Sequence, residues 1–314
     1  MQQRPGLYEL GTTGGSYTME IVALSKAVDA IFDNHNDTNI VTLSELPSLA
    51  LFKSRKTTEF DATIYNPMVC LILQGEKKVS IGGSSVTFGS GESLIIGHDL
   101  PIASRITKAD WKTPFQALMI TIDIEIIRSI HGQATETVFE KKGDEVLAAS
   151  QTCRALVDAL GRYLTLFKKP NEAEVLGPLV LKEIHYRLLM APHGGMLRRL
   201  IRRDSHASKI GLAIEQIRKG FRSTIAVAEL AEVAGMSPSS FHEHFRFITG
   251  TTPLQFQKDL RLLEARQLLS TQELPVSIAA FQVGYESSTQ FSREYARKFG
   301  VSPRNHLGKL HLSA

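Results

Sequence analysis

The chain has 314 residues, long enough for two domains with separate cores, and its 43% hydrophobic and 22% charged residues are those of an ordinary globular protein. Two cysteines exclude a disulfide framework, no charged-then-apolar signal opens the chain, and the longest apolar runs are too short and too charged to span a bilayer, so a reduced, cytoplasmic protein is expected. The net charge of +4 is unevenly shared: residues 193–314 hold 17 Lys+Arg against 10 Asp+Glu, a net of +7, which suits a nucleic-acid reader joined to a mildly acidic partner domain.

In chain order, residues 19–32 carry the spacing of an amphipathic helix. Short β-rich runs follow at 49–53, 69–74, 78–81, 86–88, 94–96, 102–106 and 115–122, separated by turn residues such as Gly82-Gly83 and Gly89-Ser90-Gly91. Runs this short and regular predict a small antiparallel barrel or sandwich, and the mouth of such a fold is a place for a ligand. Tyr65, Lys77 and Arg105 are candidates to line that mouth and hold an anion, although plain surface exposure is the simpler expectation for each. Cys70, within Met68-Val-Cys-Leu-Ile-Leu73, reads as a buried inert thiol. A metal centre would need about three or four ligands converging from neighbouring strands. The strand region offers His98 alone, with His131 beyond it and no His-x-His pair, so no metal is expected, nor any other cofactor.

Two helices are expected next, 145–168 and 172–190, separated by Lys169-Pro170-Asn171. Leu156, Leu160, Tyr163, Leu164 and Phe167 on the first, with Leu176, Leu179, Val180, Ile184 and Leu188 on the second, form apolar faces at helical spacing. Packing against the barrel and a homodimer interface are both open readings of this hairpin. Ala191-Pro-His-Gly-Gly195 is the linker candidate, followed by a basic helix with Arg198, Arg199, Arg202 and Arg203.

The last hundred residues repeat one pattern. Ala231/Ala280 and Gly235/Gly284 are offset by 49 residues, whereas Phe241/Phe291, Phe245/Tyr295, Gly250/Gly300 and Pro253/Pro303 are offset by 50, so one residue has been added in the second turn. Each copy reads helix, glycine turn, helix. The small residue lets two helices approach, the glycine supplies a positive φ, and Ser237-Pro238 or the Ser287/Gln290 capping box starts the next helix. Aromatics four apart bury one face of that helix and leave the other polar. Between the copies, Thr252-Pro253 caps a helix predicted over 254–269, a rigid spacer able to hold two recognition helices about 34 Å apart, one DNA turn. His242-Glu243-His244 is no metal site, because helix residues two apart diverge. No phosphate-cradling loop or nucleophile elbow is present, so an enzyme is not expected.

Through Leu230-Ala231, Gly235-Met-Ser-Pro238, Phe241, Phe245, Gly250, Pro253, Arg261, Ala265-Arg266, Gly284-Tyr-Glu-Ser287, Gln290-Phe-Ser-Arg293, Phe299-Gly300 and Ser302-Pro303, residues 206–305 resemble the AraC/XylS family of bacterial transcription regulators. The front of the chain is similar to the cupin-type N-terminal domain of one branch of that family, through Tyr65-Asn-Pro67, Leu73-Gln-Gly-Glu-Lys77 and Asp99-Leu-Pro101. The resemblance implies an α+β chain: a cupin-like antiparallel β-barrel with a helical hairpin over 1–191, a linker and basic helix over 192–205, and two helix-turn-helix units on a linking helix over 206–314. It implies a ligand-responsive, sequence-specific regulator that binds double-stranded promoter DNA and a small-molecule effector, dimerises through 145–190, and touches RNA polymerase if it activates. Base contacts then fall on Ser239, His242, Glu243, Ser288, Thr289, Gln290 and Arg293, and phosphate contacts on Arg246, Arg297 and Lys298. The segment from about residue 196 is expected to fold alone. A cupin-type metal-dependent enzyme fused to a DNA-targeting module, and a DNA-binding protein whose barrel only dimerises, are the alternatives.

Overall fold

The computed structural model describes residues 14–33, 38–131, 148–202, 205–271 and 274–305. Helix α1 (Gly14–Phe32) leads into an antiparallel β region, β1 (Ile40–Leu43), β2 (Leu46–Ser54), β3 (Asp61–Tyr65), β4 (Met68–Gln74), β5 (Glu76–Ile81), β6 (Ser84–Gly89), β7 (Glu92–Ile96), β8 (Leu100–Lys108) and β9 (Phe115–Thr121). The strands form a six-stranded sheet in the order β1-β2-β9-β4-β7-β10 and a four-stranded sheet in the order β3-β8-β5-β6, where β10 is Ala149–Gln151. The expected antiparallel β domain is therefore present, with its ladders divided between two sheets. Strand β4 lies between β9 and β7 and has α1 packed over it, so it is buried on both faces. That is why Met68-Val-Cys-Leu-Ile-Leu73 is a continuous apolar run instead of an alternating one. Cys70 within it is buried, and burial pushes its thiol pKa up, as an inert thiol requires.

Three strands and two helices, one over Ile124–His131 and one over His206–Gly220, escaped the sequence reading. Strands β1 and β3 are short, and β3 has the pattern Asp-Ala-Thr-Ile-Tyr with little apolar content; pairing with β8, from Asp61↔Ser104 to Tyr65↔Leu100, makes it a strand. Helix α2 (Ile124–His131) starts where Asp123 accepts hydrogen bonds from the amides of Glu125 and Ile126. The helix expected over 145–168 is corrected. Residues 145–147 lie outside those described, and Ala149–Gln151 is strand β10, paired with Leu94–Glu92 of β7, whose edge would otherwise lack a partner. Helix α3 (Arg154–Thr165) begins only after Cys153 and ends in a 3₁₀ turn, and α4 (Pro170–Met190) follows with proline in its first turn.

The stretch expected to link the halves is packed. Helix α5 (Gly195–Ile201) is buried over nearly its whole length, with Met196 and Leu200 lying against Gly97. Its Arg198 is 6% exposed and donates to the carbonyls of Leu189 (2.5 Å) and Ala191 (3.1 Å), so the guanidinium serves the end of α4 instead of a solvated basic face. Arg203 lies outside the described residues. The C-terminal half is helical: α6 (His206–Gly220), α7 (Val227–Val233), α8 (Pro238–Thr249), α9 (Pro253–Thr271), α10 (Val276–Gln282) and α11 (Ser288–Phe299). One hydrophobic core runs from α1 through the sheets to Phe241, Phe245, Phe256 and Leu260, and a second gathers Leu262, Ala265, Leu269, Ala280, Val283, Phe291 and Tyr295. Helix α9 supplies residues to both.

Candidate functional site

The repeat in the sequence is a repeat in space. Gly235 and Gly284 both have positive φ, 59° and 91°, and in each turn the small residue's carbonyl accepts a bond from the residue after the glycine: Met236 to Ala231 at 2.9 Å, Tyr285 to Ala280 at 3.0 Å. The residue added to the second turn lies between Gly284 and α11. Ser237 and Ser287 cap α8 and α11 by accepting from the amides of Ser240 and Gln290. The expected capping box at α11 is only half formed, because the Gln290 amide reaches forward to Glu294 Oε1 at 3.4 Å, one turn along the helix. Both helices are 12 residues long and end on a left-handed glycine, Gly250 (φ 69°) or Gly300 (φ 72°).

Phe241, Phe245, Phe291 and Tyr295 are buried, so the opposite faces of α8 and α11 meet solvent. On α8, Ser239, His242, Glu243 and Arg246 are exposed; on α11, Thr289, Gln290, Arg293 and Arg297 are exposed and Ser288 is half-buried. Arg246, Arg293 and Arg297 have no ion pair among the described residues. Lys298 differs, since Asp259 of α9 holds it at 2.7 Å. His244 turns back to stack on His206, ring centres 3.6 Å apart, which separates it from His242 as helix geometry requires.

Arg261 joins the two units. Its guanidinium donates to the carbonyls of Phe221 (2.6 Å), Ser223 (3.0 Å) and Gly284 (2.9 Å), and Gln257 also donates to Phe221 and Ser223. One side chain of the linking helix thus ties the loop before the first unit to the turn of the second. The sequence marked Arg261 without a role, because its partners are backbone carbonyls that no spacing reveals.

In the β domain, Tyr65, Lys77 and Arg105 line one cavity of about 480 Å³ between the sheets, with Phe52, Met68, Phe115 and Met119. Lys77 Nζ donates to the Tyr65 hydroxyl at 2.9 Å, and that hydroxyl lies 3.0 Å from Ser104 Oγ. The expectation that these residues are simply exposed is corrected: all three are partly buried, and the register that pairs Lys77 with Ile106 turns Lys77 inward. Asp61 and Thr63, which also line the cavity, were not anticipated because β3 itself was not. Cavity and helical half meet at β3. Arg266 of α9 pairs with the Asp61 carboxylate and donates to the Ala62 carbonyl at 2.6 Å. Nearby, Asp99 pairs with Arg218 of α6 at 2.5 Å. His98 is buried, donates through Nε2 to the Ala207 carbonyl at 3.0 Å, and has its pKa lowered by burial. It is a structural histidine at the junction.

Residues 45–196 match the model described as AraC-type transcriptional regulator N-terminus, and residues 230–308 match a helix-turn-helix domain. The chain is 39% identical over 106 residues to the RCS-specific HTH-type transcriptional activator RclR of Escherichia coli K12, covering 34% of this chain and 37% of that one. It is 28% identical over 186 residues to the HTH-type transcriptional regulator CdhR of Pseudomonas aeruginosa, covering 57% of this chain and 52% of that one. The alignments thus span less than two thirds of either relative's length. Among solved structures, fatty-acid-bound ToxT of Vibrio cholerae superposes with a TM-score of 0.54 over 86% of this chain and 95% of that one, at 12% identity, a likeness of fold.

Proposed function

The chain belongs to the AraC/XylS family of transcriptional regulators, and from that premise we propose that it binds promoter DNA sequence-specifically and that a small molecule in the β-domain cavity sets its affinity. The observation that carries this reading is the pair of α8 and α11 faces, polar, exposed and tied in fixed relation by Arg261 on the 19-residue helix α9. In this reading Ser239, His242, Glu243, Ser288, Thr289, Gln290 and Arg293 read bases, and Arg246 and Arg297 hold phosphates. Lys298 would join them only by leaving Asp259. ToxT is described as bound to an unsaturated fatty acid, which supports ligand binding by a chain of this fold.

Helix α4 supports dimerisation. It buries Ile184 and Leu188 inward yet leaves Val175, Leu176, Leu179 and Tyr186 exposed, so the hairpin packs on its own domain and keeps an apolar face for a second copy. Among the described residues no helix is long and apolar enough to cross a membrane, and such a regulator would work in the bacterial cytoplasm. The test is a genome-wide map of the bound sites, followed by titration of the purified chain with the duplexes recovered and by sedimentation of the same sample. We expect promoter-proximal sites, binding that mutation of the site abolishes, and a dimer. Scattered sites bound with equal affinity would overturn the reading.

A further inference from the structure

The cavity between the sheets holds an unbalanced charge. Lys77 enters it from β5, and its ammonium donates to the Tyr65 hydroxyl and lies 5.4 Å from the centre of the Tyr65 ring. Arg105, next to Ile106 on β8 and paired with Lys78, leaves the strand on the other face, where its guanidinium lies over the Phe60 ring, so Lys77 is the cation that points into the cavity. The cavity has one carboxylate in its wall, Asp61, and Arg266 of the linking helix already occupies it. No carboxylate among the described residues pairs with Lys77 or Arg105. The remaining walls are chiefly apolar, including Ile40, Phe52, Met68, Ile106, Phe115 and Met119.

A cation held away from water and without a counter-charge is costly, and an anion that displaces little solvation of its own recovers that cost. The apolar walls, in turn, reward a ligand whose body is hydrocarbon. A sugar or other polyol would leave many hydroxyls facing those walls unpaired, and an amine would meet the like charge of Lys77. The volume, about 480 Å³, falls within the range of roughly 300–1,000 Å³ usual for small-molecule sites. Burial opposes the charge on Lys77, while the Tyr65 hydroxyl accepts a hydrogen bond from its ammonium and favours the charged form.

We propose that this cavity takes a hydrophobic monocarboxylic acid in its ionised form, with the carboxylate accepting from Lys77 Nζ and the Tyr65 hydroxyl and the hydrocarbon body lying between the sheets. The proposal rests on the reading of the cavity as the effector site and names the chemical class of its occupant. The Asp61–Arg266 pair keeps the carboxylate in the cavity wall from competing.

The test is calorimetric titration of the full chain with octanoate and with 4-phenylbutanoate, each against its primary amide. The wild-type chain should bind each acid at least tenfold more tightly than the matching amide. Lys77→Met should reduce that preference to under threefold, and Lys77→Arg should restore it. Equal binding of acid and amide by the wild-type chain, a comparison that needs no variant, would overturn the carboxylate assignment while leaving the effector site standing. So would a Lys77→Met chain, shown to be folded by circular dichroism, that keeps the preference. If neither acid nor amide binds at millimolar concentration, and filling the cavity with Ala117→Phe leaves operator affinity unchanged, the effector-site reading fails together with the class.

Discussion

At the scale of single residues, the proposed division between base readers and phosphate holders rests on where each side chain leaves the helix and whether it is already engaged. Arg293 and Arg297 are four apart on α11, exposed, and free of ion pairs among the described residues, whereas Lys298 next door is held by Asp259. Replacing Arg293 by Ala should relax specificity at one base pair and cost about 1–3 kcal/mol at the preferred site, because the proposed bidentate contact to guanine would be lost. Replacing Arg297 should weaken binding to all sequences alike and flatten the salt dependence by about one unit. Titrations on a panel of single-base operator variants at several salt concentrations separate the two, and identical profiles would refute the division. The sequence displayed these arginines through register alone. That Lys298 is engaged was not visible, since Asp259 lies 39 positions away on another helix.

At the scale of elements, the two turns share a backbone conformation and differ in surroundings. An alanine at either glycine has positive φ to tolerate, about 1–2 kcal/mol. At Gly235 the added Cβ meets nothing within 4 Å, but at Gly284 it would lie 2.0 Å from the Arg222 carbonyl oxygen, in the loop that Arg261 also clamps. Gly284→Ala should therefore lower the thermal midpoint and the operator affinity clearly more than Gly235→Ala. Thermal unfolding and operator titration of the two variants decide it, and an equal or reversed ranking would show that the second turn is not packed in this way. The duplicated pattern announced both glycines, and the longer second turn already set Gly284 apart. The physical reason is the Arg222 backbone, which only the folded chain brings there.

At the scale of the whole molecule, the halves are less separate than their sequences suggest. The core that begins at α1 continues through α5 into the first helix-turn-helix, and the turn of the β5–β6 hairpin presses Gly82 against Gly250, the cap of α8. A Cβ on Gly82 would come 2.1 Å from the Gly250 carbonyl oxygen, whereas one on the adjacent Gly83 meets nothing. Gly82→Ala should speed amide exchange at the C-terminal end of α8 as well as in the hairpin, and Gly83→Ala should leave α8 unchanged; mass-spectrometric exchange on the full chain reads both. An unaltered α8 in the first variant would mean the hairpin does not bear on that helix. For the same reason a fragment starting near 196 would expose the buried face of α5, with Met196, Leu197 and Leu200, so a boundary near 205 is the better place to test independent folding of the helical half.

The sequence by itself determined the tandem units, their caps, their turns and the aromatic faces that bury them, because each depends on residues within one or two helical turns of one another. It also determined most strands of the β domain, whose apolar content is local. Tertiary structure alone decided what lies far apart in the chain and close in space: β10 completing the edge of β7, Arg198 buried under α4, Arg261 bridging three carbonyls, Arg266 on Asp61, and Lys77 turned into an apolar cavity. Backbone carbonyls and the walls of a cavity leave no periodic trace in a sequence. They exist only once the sheets and helices have closed on one another, and in this chain the cavity and its contact with the helical half depend on them.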